Sequence, residues 1–283
     1  MPTEPSATRP QPVAMQCMEI RGGSQAVEEA VSVPGLDLWV WSRPHEGDAH
    51  GGDVHYVSLC GGGVITRLIV ADVSGHGESV ADFSRSLRNL VRKNINTKTQ
   101  TGLVRSLNQQ FAEMAQLRRF ATAVVATYLA TRQQLTICNA GHPRPLRYRA
   151  STGRWEVLEG RPGQAGNLPL GIDDEAAYHQ FSLPLDPDDM VLFYTDALTE
   201  AADASGRMLG EEGLLALAQA LPLETPRVFG PALLAAVDRH RESRPADDDT
   251  TLLVLHHNAG GPKRLSLREK VDVYAKVFGV KGY

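Results

Sequence analysis

The stretch Val64–Gly77, VITRLIVADVSGHG, encodes a strand that ends in a turn. Six of its first seven residues are apolar or β-branched, as in a buried strand, and its last residues are mostly small, polar or glycine, as in a turn. A junction of this kind exposes the carboxylate of Asp72 at the strand end, where a metal ion or a substrate can reach it. The stretch therefore predicts a site of chemistry at this point of the fold.

Hydrophobic periodicity on both sides of this stretch predicts the fold class. Apolar and β-branched runs predict strands at Leu36–Trp41, Val54–Cys60 and Val64–Asp72, and a period of three to four predicts helices over Glu78–Asn96 and Leu103–Met114. The further predicted elements are strands at Phe120–Ala130, Gln134–Asn139, Pro145–Ala150, Arg154–Glu159, Met190–Thr195 and Thr250–His256, and helices at Glu211–Leu221 and Val228–Arg241. This order favours a layered α+β fold with antiparallel sheet over a wound parallel sheet.

The two ends of the chain differ from its middle in composition. Residues 1–12 contain four prolines among polar residues, which predicts a flexible start of an N-terminal extension over 1–35. The main domain is predicted at 36–257. Residues 258–283 form a basic tail with apolar residues at helical spacing, namely Leu267, Val271, Tyr274 and Phe278. An amphipathic helix there would pack on the domain itself, or bind an acidic partner or a membrane surface.

Overall charge and cysteine content exclude several classes of protein. The formal net charge is −4, from 29 Lys and Arg against 33 Asp and Glu, so no nucleic-acid partner is expected. The three cysteines form no CxxC pair, which favours reduced thiols. The sequence has no signal peptide and no apolar run of about 18 residues, so we expect a cytoplasmic protein without a membrane span.

Four aspartates stand beside strand ends or tight turns: Asp53, Asp72, Asp196 and Asp248. Each alone is more often a turn or cap residue than a ligand. Together they provide the several oxygen ligands from separate strands that a pair of Mg²⁺ or Mn²⁺ ions requires. The set therefore predicts a two-metal site.

The sequence resembles the metal-dependent protein phosphatases of the PPM family, most closely the bacterial SpoIIE-type branch. The resemblance spans about 36–256 and rests on six motifs: Gly51–Asp53, Ala71–Gly77, Asn139–Pro143, Leu168–Ile172, Tyr194–Glu200 and Asp248–Leu252. It implies a central β-sandwich of two antiparallel sheets flanked by helices, in α-β-β-α layers. It also implies a binuclear Mn²⁺ or Mg²⁺ centre that removes phosphate from phosphoserine and phosphothreonine, which would make 36–257 a phosphatase catalytic domain.

The resemblance assigns roles to individual residues. Asp72 would bridge the two ions, and the Val73 carbonyl would bind one of them. The further ligands that it implies are Asp53, Asp196 and Asp248, with Asp249 as the alternate in the run Asp247–Asp249. The implied reaction is in-line attack on phosphorus by hydroxide held at the centre, with Asp72 and Asp196 as catalytic residues.

Three further residues are less clearly assigned. His76 is a candidate general acid, because its ordinary pKa permits proton donation near neutrality. Arg43 is a candidate phosphate contact, with a solvated arginine as the alternative. Tyr56 stands where many relatives have a second acidic residue, which would weaken or retune the metal site.

The resemblance leaves three functions open. The first is hydrolysis of phosphoserine or phosphothreonine on a bacterial regulatory protein, for which an anti-sigma-factor antagonist is the candidate partner. The second is a catalytically inactive binding module, and the third is hydrolysis of a small phosphorylated metabolite. A homodimer and a control element in the helix over Val80–Ile95 are further expectations from the resemblance.

Overall fold

The computed structural model describes residues 12–17, 19–74, 85–91, 93, 99–115, 120–160, 166–242 and 244–261. Its strands are β1 (Val13–Ala14), β2 (Ile20–Gly23), β3 (Val27–Val33), β4 (Leu36–Arg43), β5 (Asp53–Cys60), β6 (Ile65–Val73), β7 (Ala121–Leu129), β8 (Gln134–Ala140), β9 (Leu146–Arg149), β10 (Arg154–Val157), β11 (Phe181–Pro184), β12 (Met190–Tyr194) and β13 (Thr250–His257). Its helices are α1 (85–91), α2 (Gln100–Ala115), α3 (Gly210–Ala220) and α4 (Pro226–His240).

The strands form two sheets. One has the order β1-β3-β4-β13-β12-β9-β10 and the other the order β11-β8-β7-β6-β5-β2. All pairings between named strands are antiparallel except that of β1 with β3. The predicted α+β sandwich is therefore confirmed.

Alternate residues of the central strands pack in different apolar layers. Leu68 and Val70 of β6 pack between the sheets with Val191 and Phe193 of β12. The intervening residues of β6 face α1 and α2, and those of β12 face α3 and α4, in two outer layers that contain Ile69, Ala71, Leu87, Leu103, Phe111, Leu192, Tyr194, Leu214, Phe229 and Leu233. This alternation decides which side chains at the strand ends can meet between the sheets.

The predicted strands and helices occur to within two residues at either end, apart from α2, which begins three residues before Leu103, and the helix over Glu78–Asn96. Of that helix, 85–91 is helical, and 75–84, 92 and 94–96 lie outside the described residues. The basic tail from 262 onward and the first eleven residues lie outside them too. Within the part of the chain that the structure describes, no helix is long and apolar enough to span a membrane.

The predicted strand Leu36–Trp41 lies within β4, and three strands that the sequence did not predict, β1 to β3, precede it. Strand β2 pairs with β5, and β3 pairs with β4, so part of the predicted extension over 1–35 belongs to the sheets. The sequence of β2, IRGG, and that of β3, VEEAVSV, do not alternate strictly between apolar and polar residues. The short strand β11 was missed for a similar reason, since FSLP ends in a proline.

Candidate metal centre

Two strands of one sheet bring two aspartates together. Asp53 begins β5, Asp72 lies near the end of β6, and the two residues are directly paired across the strands. Asp72 is two residues beyond Val70, which packs between the sheets, so Asp72 faces the same side of its strand. Asp53 likewise lies on the face of β5 opposite to Val54 and Tyr56. Both carboxylates therefore lie at one end of the space between the sheets.

The second sheet contributes the other residues of this cluster. Asp196 follows β12, and Asp248 lies just before β13. The Thr195 hydroxyl donates a 2.8 Å hydrogen bond to Asp53, and it accepts one of 2.9 Å from the backbone N–H of Thr251. The bond from Thr195 to Asp53 connects the two sheets at the carboxylate cluster, and the bond from Thr251 holds the Thr195 hydroxyl within its own sheet.

The carboxylates raise one another's pKa. Burial, followed by the charge of Asp72, raises the pKa of Asp53 well above its usual range, although hydrogen bonds from Thr251 and Thr195 oppose the shift. Burial, followed by the charges of Asp196, Asp248, Asp249 and Glu200, raises the pKa of Asp72 to about 7. The pKa of Asp196 is also raised, mainly by burial and then by Asp248. Such a concentration of partly buried negative charge requires a nearby cation or protonation.

The donor set fits hard divalent cations. Carboxylate oxygens are the ligands that Mg²⁺ and Mn²⁺ prefer, and the mutual repulsion of these groups favours any bound cation. In the described part of the chain, no three acidic, histidine or cysteine side chains converge at ready-made coordination geometry. The cluster thus supplies the chemistry of a metal site, and ion binding would require the side chains to adjust.

Asp248 and Asp249 have different surroundings, although they are neighbours. Asp249 is buried and accepts hydrogen bonds from the backbone N–H groups of His45, at 2.6 Å, and Gly52. A Cβ atom at Gly51 would lie 2.5 Å from its carboxylate, which explains the glycine there. Asp248 is exposed, and its charge acts on Asp72 and Asp196. Asp249 therefore anchors a loop while its charge acts on Asp53 and Asp72, and Asp248 is the member of the pair with the accessible side chain.

Glu200 belongs to the cluster and was missed by the sequence reasoning. Its pKa is raised by burial and then by Asp196 and Asp248, and its own charge acts on Asp72. Its backbone N–H donates a 2.8 Å hydrogen bond to the Asp196 carbonyl, within the turn that follows β12. The available signal was its place at the end of the motif Tyr194–Glu200.

Tyr56 does not occupy the cluster. It is 1% exposed and packs in the helix-facing layer with Val54 and Ile69, on the opposite face of β5 from Asp53. Tyr56 therefore contributes to the apolar core rather than to the acidic cluster. Val73 ends β6, and its side chain packs in the same helix-facing layer, so only its backbone could serve a metal ion.

The remaining candidates are His76 and Arg43, and the motif Asn139–Pro143 contributes a buried histidine. His76 lies outside the described residues. Arg43 ends β4, its guanidinium lies 5.4 Å from the ring centroid of Trp41, and it lines a cavity together with Asp248. His142 is buried, 2.8 Å from the Thr122 hydroxyl, and burial lowers its pKa to about 3, so it stays neutral.

A sandwich of two sheets flanked by helices, with an acidic cluster at one end, defines the PPM, or PP2C-type, class of phosphatase. The chain belongs to the SpoIIE family of this class, because residues 63–258 match the family model Stage II sporulation protein E (SpoIIE).

Two curated relatives come from Bacillus subtilis (strain 168). The phosphoserine phosphatase RsbP is 29% identical over 138 residues, which cover 47% of this chain and 33% of RsbP. The phosphoserine phosphatase RsbU is 26% identical over 145 residues, which cover 50% of this chain and 41% of RsbU. The chain therefore matches less than half the length of either relative.

A solved structure shows the same fold. The structure of the RsbU and RsbW domains of Rv1364c from Mycobacterium tuberculosis has a TM-score of 0.69 and 27% identity to this chain. The match covers 84% of this chain and 64% of that one.

Proposed function

We propose that the protein is a metal-dependent phosphatase that hydrolyses phosphoserine or phosphothreonine on a regulatory protein. The observation that carries this proposal is the convergence of Asp53 and Asp72 from one sheet with Asp196 and Asp248 from the other. The raised pKa values of Asp53, Asp72 and Asp196 indicate a place where negative charge accumulates without a compensating basic group among the groups that set those values. A phosphatase of this class uses such a place for divalent cations.

Each aspartate has a role that follows from its surroundings. Asp72, which interacts with every other member, would hold both ions, with the Val73 carbonyl as a further ligand. Asp53 is fixed by Thr195 and would supply a rigid ligand from the buried side. Asp196 and Asp248 would supply ligands from the second sheet, and Asp248 is reached from solvent. When bound, divalent cations lower the pKa of water and neutralise charge on the phosphoryl oxygens.

Arg43 is proposed as a contact for the phosphorylated substrate. It lines the same cavity as Asp248, and its guanidinium can donate two hydrogen bonds to one phosphoryl group. Packing over Trp41 limits its freedom, so less entropy is lost on binding. His76 remains a candidate proton donor to the leaving seryl oxygen.

The names of the relatives support the substrate class. RsbP and RsbU are phosphoserine phosphatases, and the Mycobacterium tuberculosis structure combines an RsbU domain with an RsbW domain. We therefore propose a phosphorylated regulatory protein as substrate, with an anti-sigma-factor antagonist as the first candidate. The proposed catalytic unit is 36–257 together with β2 and β3.

Turnover measurements test the proposal. We expect hydrolysis of p-nitrophenyl phosphate and of a phosphoserine peptide with Mn²⁺ or Mg²⁺, and none with a chelator. Asp72→Asn and Asp196→Asn should each lower kcat by at least about a hundredfold, because each removes a charged ligand. Asp174→Asn, a change of an exposed aspartate outside the cluster, is the matched control.

The outcomes separate the competing functions. A wild-type protein without turnover under all metal conditions would be an inactive binding module. Turnover of small phosphate esters without turnover of phosphopeptides or phosphoproteins would indicate a hydrolase of small metabolites.

A further inference from the structure

A cavity of about 310 Å³ opens beside the proposed metal centre. It lies between the end of β4 and the segment that connects α4 to β13. Its lining includes Trp41, Arg43, Asp238, Arg241, Arg244 and Asp248. Asp248 is the member of the carboxylate cluster that also lines this cavity, so the cavity and the centre adjoin.

The charge of the cavity is mainly positive. Arg241 pairs with Asp238 at 2.6 Å, but its Nε atom is buried and has no hydrogen-bond partner among the described residues. Arg244 is exposed and donates to the backbone carbonyls of Ala202, at 2.9 Å, and Arg241, at 3.3 Å. Neither bond neutralises the Arg244 charge, and the described residues place no carboxylate in an ion pair with it.

Arg43 adds a third guanidinium, and Asp248 is committed to the metal ions in the proposed function. The cavity thus contains three guanidinium groups against one available carboxylate, that of Asp238. A group of guanidiniums beside an aromatic ring, one of them largely buried, recognises carboxylates, because each pairing supplies charge-assisted and often bidentate hydrogen bonds.

We infer that Arg241 and Arg244 form a subsite for an acidic side chain of the substrate protein, next to its phosphorylated residue. A phosphoseryl group held at the centre leaves its neighbouring peptide residues beside Asp248. A Glu or Asp there reaches the cavity, where it pairs with the two guanidiniums. This inference rests on the proposed function and adds to it a substrate preference for acidic sequence around the phosphoserine.

A different role for the two arginines is stabilisation of the end of α4. Arg241 follows the last residue of this helix, where a cation interacts favourably with the helix dipole. Arg239 lies in the last turn of the same helix, is exposed, and is not among the residues that line the cavity. Arg239 also interacts with the helix dipole but does not line the cavity, so Arg239→Gln is a matched control.

The test uses two phosphoserine peptides that differ in charge. One peptide has Glu directly before and directly after the phosphoserine, and the other peptide has Gln at both of these positions. We expect the metal-loaded wild-type protein to hydrolyse the Glu peptide with about tenfold higher kcat/KM, mainly through KM, because charge-assisted hydrogen bonds to the subsite strengthen binding. The preference should decrease as ionic strength rises.

Arginine variants test whether the subsite causes the preference for the Glu peptide. Arg244→Gln should lower the ratio of the two kcat/KM values towards one, Arg244→Lys should retain a ratio of several-fold, and Arg239→Gln should leave it near tenfold. Fluorescence anisotropy of the labelled peptides measures the same ratios as affinities, independently of turnover.

The outcomes distinguish the two proposals. Equal kcat/KM and equal affinity for the two peptides would overturn the subsite and leave the phosphatase proposal intact. The subsite would also be wrong if Arg239→Gln and Arg244→Gln reduced the ratio equally, because a general charge effect would then explain it. Absence of turnover with any phosphate ester would overturn the phosphatase function, and the anisotropy ratio would still test the subsite.

Discussion

Asp72 holds a position that is unfavourable for a carboxylate without a cation. Burial and the charges of four other acidic residues raise its pKa to about 7. The sequence predicted this residue, because the turn after the strand Val64–Val70 was visible in its composition. It did not predict the participation of Glu200, since that depends on the turn after β12 and on distances that the sequence does not contain.

The metal-free protein should lose stability as pH rises because of Asp72. A carboxyl whose pKa is 3.8 in the unfolded chain and about 7 in the folded protein binds more protons when folded, so its contribution falls between about pH 4 and pH 7. Asn does not titrate. In the presence of a chelator, we expect Asp72→Asn to unfold a few degrees above the wild type at pH 8 and to have no such advantage at pH 4.

Thermal denaturation followed by circular dichroism measures this difference. Addition of Mn²⁺ should raise the Tm of the wild type more than that of the variant, because the variant has lost a ligand. A variant that is no more stable than the wild type at pH 8 without metal would contradict the electrostatic account.

Among the elements, the strands from β4 onward were predictable apart from β11, and the short strands before β4 and the loops were not. Alternation along β5 and β6 determines that Asp53 and Asp72 face the space between the sheets and that Tyr56 faces the helices. The loop between β4 and β5 is held by Asp249, whose hydrogen bonds reach 204 residues back to His45 and 197 residues back to Gly52. No local pattern in the sequence indicates a contact of that range.

Substitution of Asp249 should destabilise this loop whether or not metal is bound. Asp249→Ala removes the carboxylate that accepts from the N–H groups of His45 and Gly52, and a hydrogen bond to a charged group contributes about 1.5–3 kcal/mol. We expect a lower Tm with and without Mn²⁺. Asp248→Ala, the matched change one residue earlier, should weaken Mn²⁺ binding and leave the metal-free Tm nearly unchanged. Thermal unfolding and metal titration measure the two effects. If Asp248→Ala lowered the metal-free Tm and Asp249→Ala weakened Mn²⁺ binding without lowering it, Asp248 would hold the loop and Asp249 would be the ligand.

At the scale of the whole molecule, the proposed metal centre depends on the packing of the two sheets, because each sheet contributes aspartates to it. The order of strands and helices predicted a layered α+β fold, and the resemblance to the PPM family added the sandwich. The four aspartates were predicted from their places at strand ends and turns, and the resemblance gave them a shared role. It could not predict the cavity beside Asp248, because Arg43 and Arg244 are distant in the sequence and share a surface only after both sheets and α4 have packed.

Removal of the hydrogen bond from Thr195 to Asp53 tests whether the stability of the two-sheet core and the affinity of the proposed metal centre depend on the same contact. Thr195→Val keeps the shape of the side chain but removes the hydroxyl, so the buried Asp53 carboxylate loses a 2.8 Å hydrogen bond between the sheets and the backbone N–H of Thr251 loses its 2.9 Å acceptor. We expect the free energy of unfolding in urea to fall by about 1.5–3 kcal/mol, the usual value for a bond to a charged group. Mn²⁺ affinity should also fall, because Asp53 loses its fixed position. Thr127→Val is the matched control, since the Thr127 hydroxyl is buried without a partner among the described residues. Equal effects of the two substitutions would mean that the Thr195 bond contributes nothing specific to either property.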